Sequence, residues 1–536
     1  MATYDYVIVG AGSAGCVLAH RLTEDPSVSV CLLEAGPSDG FEFIHTPGAF
    51  GYFMFSKKYD WSYDAKPDPA IRNGQPIFCP RGKGLGGSSS INGMIYVRGN
   101  EMDYDRWAAL GNPGWRYEEV LPYFRKSEDN ARGASRYHGA GGPLHVSDAE
   151  LQYKISKVFL QAAREAGMPM TDDFCGEQHE GFGPYQFTIR NGRRCSAAVA
   201  YLHPAMHRPN LTVRTGIDVL KVEFEGLRAV GVSCRHRGQP EAIKASREVI
   251  LSAGSYNTPQ LLMLSGVGDP GQLRHHGIPL VHALPGVGAN LQEHADAAIL
   301  VHSRPHGGIQ YSVGGVLQMI GQGIGYYGAR KGKLRASVTE VGGFLKTDPS
   351  LAEPDVQLHS LPLLFDDSGR ALRLNMAAGY SCHVCVLRPK SRGSVTLASR
   401  DPAQPPVIDH NFFSDPADMK TLVEGVRLAR RILAAPAFDT YRIEEIHPGT
   451  QVESDADIAR ACREKLGIVY HPVSTARMGT DEMAVVDPEL RVHGLQGLRV
   501  VDASIMPTLI GGNTNGPTIM IAEKAADMIR GRAPAS

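Results

Sequence analysis

Three glycines near the start of the chain, Gly10, Gly12 and Gly15, stand between a strand-like run and a helix-like run. Residues 6–9 form a short apolar, β-branched run that predicts a buried parallel strand, and residues 28–33 form another. The two strands and the helix between them make a βαβ unit. In such a unit the first glycine permits a tight turn, the second lets the backbone approach a pyrophosphate, and the third lets helix and strand pack closely. The spacing therefore predicts dinucleotide binding at this turn.

Glu34 ends the second strand, 19 residues beyond Gly15. A carboxylate at that place can accept hydrogen bonds from both hydroxyls of an adenosine ribose, and it repels a 2′-phosphate. The N-terminus of the intervening helix supplies free N–H groups and partial positive charge for the phosphates. The alternative is a chance glycine turn, and the motif by itself does not separate FAD from NAD.

The charge of the chain is balanced, with 55 basic and 56 acidic residues among 536, which argues against a polybasic nucleic-acid binder. Nine scattered cysteines do not make the pattern of a disulfide framework and indicate a reducing compartment. No basic leader precedes the first apolar strand, and no run of about 18 apolar residues predicts a membrane-spanning helix. We expect a cytoplasmic protein, with peripheral attachment to a membrane left open.

Segments further along the chain supply more strands. Residues 249–252 and 498–501 are apolar runs typical of strands that return to the first sheet. Residues 355–359, 382–387 and 394–397 alternate apolar and polar side chains, which predicts an antiparallel sheet with one wet or ligand-facing side. We therefore predict an α/β fold (α+β in its whole composition), with one doubly wound domain made of several chain segments and interleaved with a sheet-and-helix domain.

The chain also carries four longer motifs: PRGKGLGGSSSING at residues 80–93, AGSYNTPQLLMLSGVG at 253–268, PGVGANLQEH at 285–294 and VDASIMPTLIGGNTNGPT at 501–518. They resemble the signatures of the glucose–methanol–choline (GMC) oxidoreductases, which are FAD flavoproteins. Together with the glycine turn they span nearly the whole chain, so the resemblance is specific. It disfavours an NAD-linked enzyme, because a single nucleotide fingerprint is visible.

The resemblance implies a Rossmann-like FAD-binding domain formed by residues 1–150, 196–298 and 464–536. It implies a substrate-binding domain, an antiparallel sheet flanked by helices, formed by residues 151–195 and 299–463. The residues that it assigns to the cofactor are Gly10, Gly12, Ser13, Ala14, Gly15, Glu34, Ala35, Trp61, Arg81, Gly82, Gly86, Gly87, Ser88, Asn92, Gly93, Met94, Ile95, Val219, Ala253, Gly254, Tyr470, Asp502, Ala503, Asn513 and Thr514.

Residues 86–90 carry almost no side-chain bulk, so this segment can pass close to a flat ring. We expect the backbone N–H groups of Asn92 and Gly93 to face the polar edge of the flavin; the alternative for this segment is a flexible surface linker. Some family members attach flavin covalently through a histidine in this signature. The corresponding residue here is Ile91, which cannot form the bond, and we predict dissociable FAD.

The resemblance assigns the chemistry to His471 and Asn513. In the family a base takes the hydroxyl proton of an alcohol while hydride leaves the carbon for flavin N5, and histidine suits the role of base because of its pKa. His471 matches the active-site histidine, and Asn513 matches its partner, which hydrogen-bonds the alcohol oxygen. The alternative role for Asn513 is a helix N-cap, although Asn515 can fill that role, and Pro517 fits the first turn of a helix.

Other candidates are read as structural. Cys382 and Cys385 lie in an alternating strand pattern and do not share a face, so we predict neither a thiol pair nor a metal site. Glu293 and His294 are interpreted as structural residues, and no metal ligand is assigned. Glu340 lies in a segment that the resemblance places in the substrate domain, and its approach to the pocket is left open.

The substrate is expected to be a primary, aliphatic alcohol, which becomes an aldehyde. Residues 30–37 and 389–393 are most similar to bacterial aliphatic-alcohol, polyethylene-glycol and choline dehydrogenases, and apolar residues are frequent between 358 and 365. Electrons would pass to a quinone or another acceptor, and quinone use implies loose attachment to the inner face of the bacterial cytoplasmic membrane. The alternatives are an FAD oxidase that makes hydrogen peroxide, a choline dehydrogenase and, remotely, a non-redox lyase of the same fold. The oligomeric state is left open.

Overall fold

The structure, a computed structural model, describes residues 2–305, 307–310, 313–371 and 373–535. Its two largest sheets have seven strands each. In chain order these strands are β1 (Thr3–Val9), β2 (Val30–Glu34), β3 (Gly181–Pro184), β4 (Leu211–Thr215), β5 (Ile217–Glu225), β6 (Arg228–His236), β7 (Gln239–Leu251), β8 (Ala295–Ser303), β9 (Val341–Leu345), β10 (Val356–Leu361), β11 (Gly379–Val386), β12 (Arg442–His447), β13 (Gly467–Ile468) and β14 (Leu498–Val500).

The longer helices surround these sheets. They are α1 (Ser13–Leu22), α2 (Glu101–Ala109), α3 (Tyr117–Ser127), α4 (Lys154–Glu165), α5 (Gly254–Leu264), α6 (Val313–Ala329), α7 (Pro416–Leu433), α8 (Asp455–Glu464) and α9 (Asn515–Ile529). In the part of the chain that the structure describes, no helix combines the length and the apolar character needed to cross a bilayer.

The first sheet has the order β4-β2-β1-β7-β6-β5, with β14 beside β7. Strands β4, β2, β1, β7 and β14 pair in parallel, whereas β5, β6 and β7 are antiparallel. Strand β2 is buried along its whole length, as a parallel strand covered on both faces requires. The predicted βαβ unit and the predicted return of two later strands to this sheet are confirmed.

The glycine turn joins β1 to α1. Gly10 has a φ of 100°, and a Cβ built on Gly15 would lie 1.9 Å from the Gly10 carbonyl oxygen. Only glycine at position 15 therefore allows α1 to lie this close to β1. On its other side α1 packs against α9, where the Arg21 guanidinium pairs with the Glu523 carboxylate at 2.8 Å. The N-terminus of α1 and the ends of β1 and β2 thus meet at one edge of the sheet.

The second sheet has the order β12-β8-β11-β10-β9-β3, with β13 beside β8, and its strands are antiparallel. Helix α7 covers one face so closely that a Cβ on Gly425 would lie 2.7 Å from a methyl carbon of Val384. The opposite face presents His359, Leu361 and His383 to a cavity. The antiparallel pairing predicted from residues 355–359 and 382–387 is confirmed, and the alternating side of this sheet faces a cavity rather than bulk water. Residues 394–396 do not join this sheet, because they pair with residues 407–409 in a separate two-stranded sheet.

The cysteines fit the structural interpretation. All nine are buried and unpaired with one another. Cys382 and Cys385 lie three residues apart in β11, so their side chains point to opposite faces of the sheet. The α/β fold class is confirmed, while the residue boundaries of the two domains stay a prediction.

Candidate active site

A cavity of about 730 Å³ lies between the two sheets. Its wall includes the glycine turn, the end of β2, residues of the 80–93 segment and the inner face of the second sheet. The volume is in the range of sites that enclose small molecules and cofactors. The cavity therefore brings together segments that lie hundreds of residues apart in the sequence.

Of the residues assigned to the cofactor or to catalysis, all line this cavity except Gly15 and Gly86. Gly15 packs against the Gly10 carbonyl, as described above. Gly86 has a φ of 86°, and a Cβ there would lie 2.2 Å from the Ser90 hydroxyl oxygen. These two glycines shape the backbone behind the wall. The contacts of the other residues with a cofactor stay predictions.

The Glu34 carboxylate organises the nucleotide end of the wall. Its oxygens accept hydrogen bonds from the backbone N–H groups of Ala11 at 2.9 Å, Gly36 at 2.8 Å and Gly84 at 3.0 Å. Burial raises the pKa of Glu34, and the three N–H groups oppose that rise because they favour the carboxylate. Oε1 accepts two of these N–H groups and Oε2 accepts one, so one lone-pair site stays open on Oε2 for a ribose hydroxyl.

Gly12 leaves open space beside the carboxylate. A Cβ on Gly12 would find only the Ser252 carbonyl oxygen, at 3.9 Å, within 4 Å. Ser252 also lines the cavity, and its hydroxyl is buried without a partner among the described residues. A buried hydroxyl of this kind favours a polar ligand. The open glycine, the N-terminus of α1 and this hydroxyl fit the phosphate-bearing part of a dinucleotide.

The 80–93 segment packs directly on the glycine turn, because a Cβ on Gly87 would lie 2.7 Å from the Gly12 Cα. It is therefore not a surface linker. A Cβ on Gly93 would meet no atom within 4 Å, which leaves room beside its backbone. One expectation is wrong: the Asn92 N–H donates to the Ser88 carbonyl at 2.9 Å, since the chain turns tightly there, and it does not face the cavity.

Sequence reasoning missed the residue that holds this segment in place. The buried Arg194 guanidinium donates to the Asn92 carbonyl at 2.7 Å and to the Asn92 side-chain oxygen at 2.8 Å. Burial lowers the pKa of Arg194 to about 9. No pattern in the sequence marks this arginine, because its position 102 residues away becomes informative only when the chain folds.

His471 and Asn513 meet at the wall of the cavity. The Asn513 amide nitrogen lies 3.1 Å from His471 Nε2, and His471 Nδ1 lies 3.0 Å from His294 Nδ1. The pKa of His471 is well below its usual value, first because of burial and then because of His294, His359 and Arg81. The imidazole is therefore neutral at ordinary pH and presents Nε2 beside Asn513.

Glu293 forms hydrogen bonds with the backbone beside this pair. One of its oxygens accepts the backbone N–H of His471 at 2.7 Å and that of His294 at 2.9 Å. Burial raises the pKa of Glu293 to about 8 and lowers that of His294 to about 3. Possible ligand atoms of Glu293, His294 and His471 lie within 4.8 Å of one another, and Glu293 Oε2 and His294 Nε2 have no hydrogen-bond partner among the described residues. Glu293 and His294 thus both hydrogen-bond His471, and their structural role stays a prediction.

The hydrogen bonds of Glu340 and Asn515 show what these two side chains contact. Glu340 does not line the cavity: its carboxylate accepts the N–H groups of Gln152 and Tyr153 and the Ser156 hydroxyl, at 2.6, 3.1 and 2.7 Å, and so caps α4. Asn515 does not occupy the N-cap position of α9, because it is the first residue of that helix. Its side-chain oxygen accepts a hydrogen bond from the Ser13 hydroxyl at 2.8 Å. Pro517 lies in the first turn of α9 as predicted.

A family model described as GMC oxidoreductase matches the chain over residues 4–296, and a second one over residues 389–522. The chain belongs to the GMC oxidoreductases. It is an FAD-dependent enzyme that oxidises alcohols, and the resemblance seen in its motifs is confirmed.

Two curated relatives are similar along nearly the whole chain. An alcohol dehydrogenase (acceptor) from Pseudomonas putida is 47% identical, with 98% of this chain and 95% of the relative covered. A mitochondrial choline dehydrogenase from Homo sapiens is 45% identical, with 99% of this chain and 90% of the relative covered.

Solved structures share the fold. A pyridoxine 4-oxidase from Mesorbium loti has a TM-score of 0.89 at 29% identity, covering 99% of this chain and all of that one (100%). A variant of Aspergillus oryzae formate oxidase, studied for FAD modification, has a TM-score of 0.91 at 28% identity, covering 99% of this chain and 98% of that one.

Proposed function

We propose that this enzyme oxidises a primary aliphatic alcohol to the aldehyde, with His471 as the base and Asn513 as the residue that holds the alcohol oxygen. The observation that carries the proposal is the contact of 3.1 Å between the two side chains at the cavity wall. The FAD is held without a covalent bond, because Ile91 occupies the position of the histidine that some family members use. When bound, FAD supplies the hydride acceptor for the oxidation.

His471 takes the hydroxyl proton. The O–H bond of the alcohol breaks and a new N–H bond forms at Nε2, which can accept the proton when the neutral ring carries its own proton on Nδ1. The Asn513 amide donates a hydrogen bond to the same oxygen and so fixes the carbinol carbon for transfer. The wall residues near the glycine turn and Glu34 would hold the nucleotide end of the cofactor.

The wall near His471 favours a neutral substrate over a cation. Leu361 and Phe365 line the cavity. The carboxylate of Asp296, on the same wall, is 2.7 Å from His383 Nδ1, and that of Asp366 is 2.7 Å from Lys465 Nζ. The pKa of His383 is raised because Asp296 stabilises its charged form. Paired carboxylates attract a quaternary ammonium ion less than free ones do, so an alkanol fits better than choline.

The experiment is an anaerobic mixing of the purified holoenzyme with 1-octanol, benzyl alcohol or choline, followed through the flavin absorbance band. Bleaching by 1-octanol supports the proposal, and bleaching by choline alone would replace it with the choline dehydrogenase alternative.

Air is then admitted to the reduced enzyme. Slow recovery of the band indicates a dehydrogenase, whereas fast recovery with peroxide indicates an oxidase. No bleaching by any of a wide panel of alcohols would favour the non-redox lyase.

The proposed electron acceptor is a quinone or another non-oxygen acceptor, in line with the name of the Pseudomonas putida relative. Quinone use implies contact with a bilayer surface.

One face of α6 is apolar and exposed. It presents Ile320, Ile324 and Tyr327, which are 56, 72 and 45% exposed and repeat at the spacing of one helix face. The exposed Lys331 follows them. We expect the protein to float with vesicles of anionic phospholipid, and Ile324→Glu to reduce flotation without lowering the oxidation rate in detergent.

A further inference from the structure

Asn513 is oriented by a buried chain of side chains from the second sheet. The Tyr185 hydroxyl donates to the Leu358 carbonyl at 2.8 Å. The Gln357 amide nitrogen lies 3.1 Å from the Tyr185 oxygen and 3.3 Å from the Asn513 side-chain oxygen. Tyr185 and Gln357 are both 0% exposed, so water does not compete for these contacts. Neither residue belongs to the motifs that identify the family.

The chain continues through the candidate base. The Asn513 amide nitrogen lies 3.1 Å from His471 Nε2, and His471 Nδ1 lies 3.0 Å from His294 Nδ1. At each of these contacts one atom must donate and the other must accept. The direction of donation at one end of the chain therefore fixes the direction at every later contact.

The direction is set at Tyr185. Burial raises the pKa of the Tyr185 phenol, so the phenol keeps its single proton. Because that proton goes to the Leu358 carbonyl, the phenol oxygen must accept from Gln357, and Gln357 must present its NH2 group. The same NH2 group then donates to the Asn513 carbonyl oxygen. The amide oxygen of Gln357 is buried without a partner among the described residues.

The tautomer of His471 follows. With its carbonyl oxygen toward Gln357, Asn513 turns its NH2 group toward His471, so Nε2 must carry a lone pair and Nδ1 must carry the proton. That proton is donated to His294 Nδ1. His294 then carries its own proton on Nε2, an atom that has no hydrogen-bond partner among the described residues, so the chain of hydrogen bonds ends at this ring.

The reverse arrangement is also complete in itself. If the Gln357 and Asn513 amides both flip, Asn513 turns its oxygen toward His471, and Nε2 carries the proton. A base with a proton already on Nε2 cannot accept the hydroxyl proton there. The two arrangements differ at the far end of the chain, because the flipped one requires the Tyr185 proton to leave the Leu358 carbonyl for Gln357.

We propose that Tyr185 and Gln357 are positioning residues that hold His471 in the tautomer competent to act as a base. The proposal rests on the proposed role of His471 and extends it to two residues that touch neither His471 nor its neighbour His294. Gly342 leaves room for the Tyr185 phenol. A Cβ on Gly342 would lie only 2.3 Å from the Tyr185 hydroxyl oxygen.

The sharpest test compares two substitutions of similar size at one position. Gln357→Met removes hydrogen bonding, so Asn513 is free to adopt either orientation, and we expect the rate of flavin reduction to fall about twofold to tenfold. Gln357→Glu offers only acceptor oxygens once ionised, so it draws the Asn513 NH2 group away from His471. We expect it to lower the rate by about 10²- to 10⁴-fold, the loss typical when a general base is removed.

Tyr185→Phe is the independent variant, because it removes the proton that selects the arrangement. The readout is the ¹⁵N NMR spectrum of histidine-labelled holoenzyme, with His471 assigned by its absence in His471→Ala. Wild-type protein is expected to show a protonated Nδ1 and an unprotonated Nε2 on His471. Tyr185→Phe is expected to show a mixture of tautomers, with a matching loss of rate. Retained flavin and an unchanged melting temperature are the checks for folding.

Several outcomes would overturn the proposal. A wild-type spectrum with the proton on Nε2 contradicts it at once, as does Tyr185→Phe with an unchanged spectrum and rate. Equal losses in Gln357→Met and Gln357→Glu would show a merely structural role. Failure of the proposed function is distinguishable, because it appears as retained activity in His471→Ala, whereas the spectrum of the resting protein reports the tautomer alone.

Discussion

His471 is neutral because its surroundings oppose a positive charge. Burial removes it from water, and His294, His359 and Arg81 all disfavour the imidazolium. The pKa values of His294 and His359 are lowered to about 3 and about 4, so these two rings are also uncharged at working pH. A base must begin unprotonated, and this environment meets that condition before the substrate arrives.

The first prediction at the residue scale concerns His471→Ala. Removal of the base is expected to lower the rate of flavin reduction by about 10²- to 10⁴-fold while FAD stays bound. Anaerobic stopped-flow measurement of the flavin band checks the rate, and the absorbance of the purified protein checks retention. His275→Ala, at an exposed histidine, is the control and should leave the rate unchanged. A nearly normal rate in His471→Ala would remove it from the role of base.

The second concerns pH. Because the pKa of His471 is lowered, its neutral form persists as the pH falls below the usual histidine value near 6.5. The value of kcat/KM should therefore be flat through pH 6.5 and decline only at distinctly lower pH, when the ring becomes protonated. The measurement is kcat/KM for one alcohol across pH, with enzyme stability checked at each point. An acidic limb at or above pH 6.5 would contradict the assignment.

At the scale of elements, two buried carboxylates join neighbouring segments by accepting backbone N–H groups. Glu34 connects the end of β2 to the glycine turn and to the 80–93 segment, through Ala11 and Gly84. Glu340 lies directly before β9 and caps α4. The two carboxylates share a chemical role, but only Glu34 also lines the cavity. Their substitutions are therefore expected to differ in effect.

For Glu34→Ala we expect the dissociation constant of FAD to rise about 10- to 100-fold, because a charged acceptor for the ribose and for three N–H groups is lost. Glu34→Gln keeps the shape and one acceptor oxygen, and it should lie between wild type and Ala. Titration of deflavinated protein with FAD, followed by flavin fluorescence, gives the constants. Unchanged FAD affinity in both variants would exclude Glu34 from the ribose site.

For Glu340→Ala the expected loss is in stability rather than specificity. Removal of the cap of α4 should lower the free energy of unfolding by about 2 kcal/mol. The ratio of rates with 1-octanol and choline should stay the same, because the side chain does not reach the cavity. Denaturant unfolding and the two rates provide the measurements, with Glu340→Gln as the matched variant. A changed ratio with normal stability would place Glu340 at the substrate after all.

At the scale of the whole molecule, one cavity joins two sheets with different pairing. The parallel part of the first sheet ends at the glycine turn, and the antiparallel sheet supplies His359, Leu361 and His383 on the opposite wall. A ligand that fills this space contacts both. Such a ligand stabilises the folded state by mass action, by about 2.7 kcal/mol at a hundredfold excess over its dissociation constant.

The corresponding prediction is that FAD can be removed and that its return stabilises the whole chain. Because Ile91 cannot bond to flavin, acid precipitation should leave all of the flavin in the supernatant. The deflavinated protein should then melt at a lower temperature, and added FAD should restore the original value in one cooperative transition. Yellow colour retained in the pellet would show a covalent bond and contradict the non-covalent assignment.

Local patterns allowed much of this molecule to be predicted. The turn of Gly10, Gly12 and Gly15 followed from residue spacing, because a helix that starts so close to a strand requires glycine whatever the rest of the chain does. The alternating runs near residues 357 and 384 predicted an antiparallel sheet, because the side chains of a strand point alternately to its two faces. His471 and Asn513 were found through the resemblance of their motifs.

Only the tertiary structure decided which distant side chains meet. Gln357 and Asn513 are separated by 156 residues, and Arg194 and Asn92 by 102, so no local spacing connects them. The same holds for Glu340, whose sequence neighbourhood left its direction open until the packing of α4 against β9 and β10 placed it under the helix. Spacing along the chain determines backbone geometry, whereas the direction of a buried hydrogen bond depends on which partner the packed sheets bring within about 3 Å.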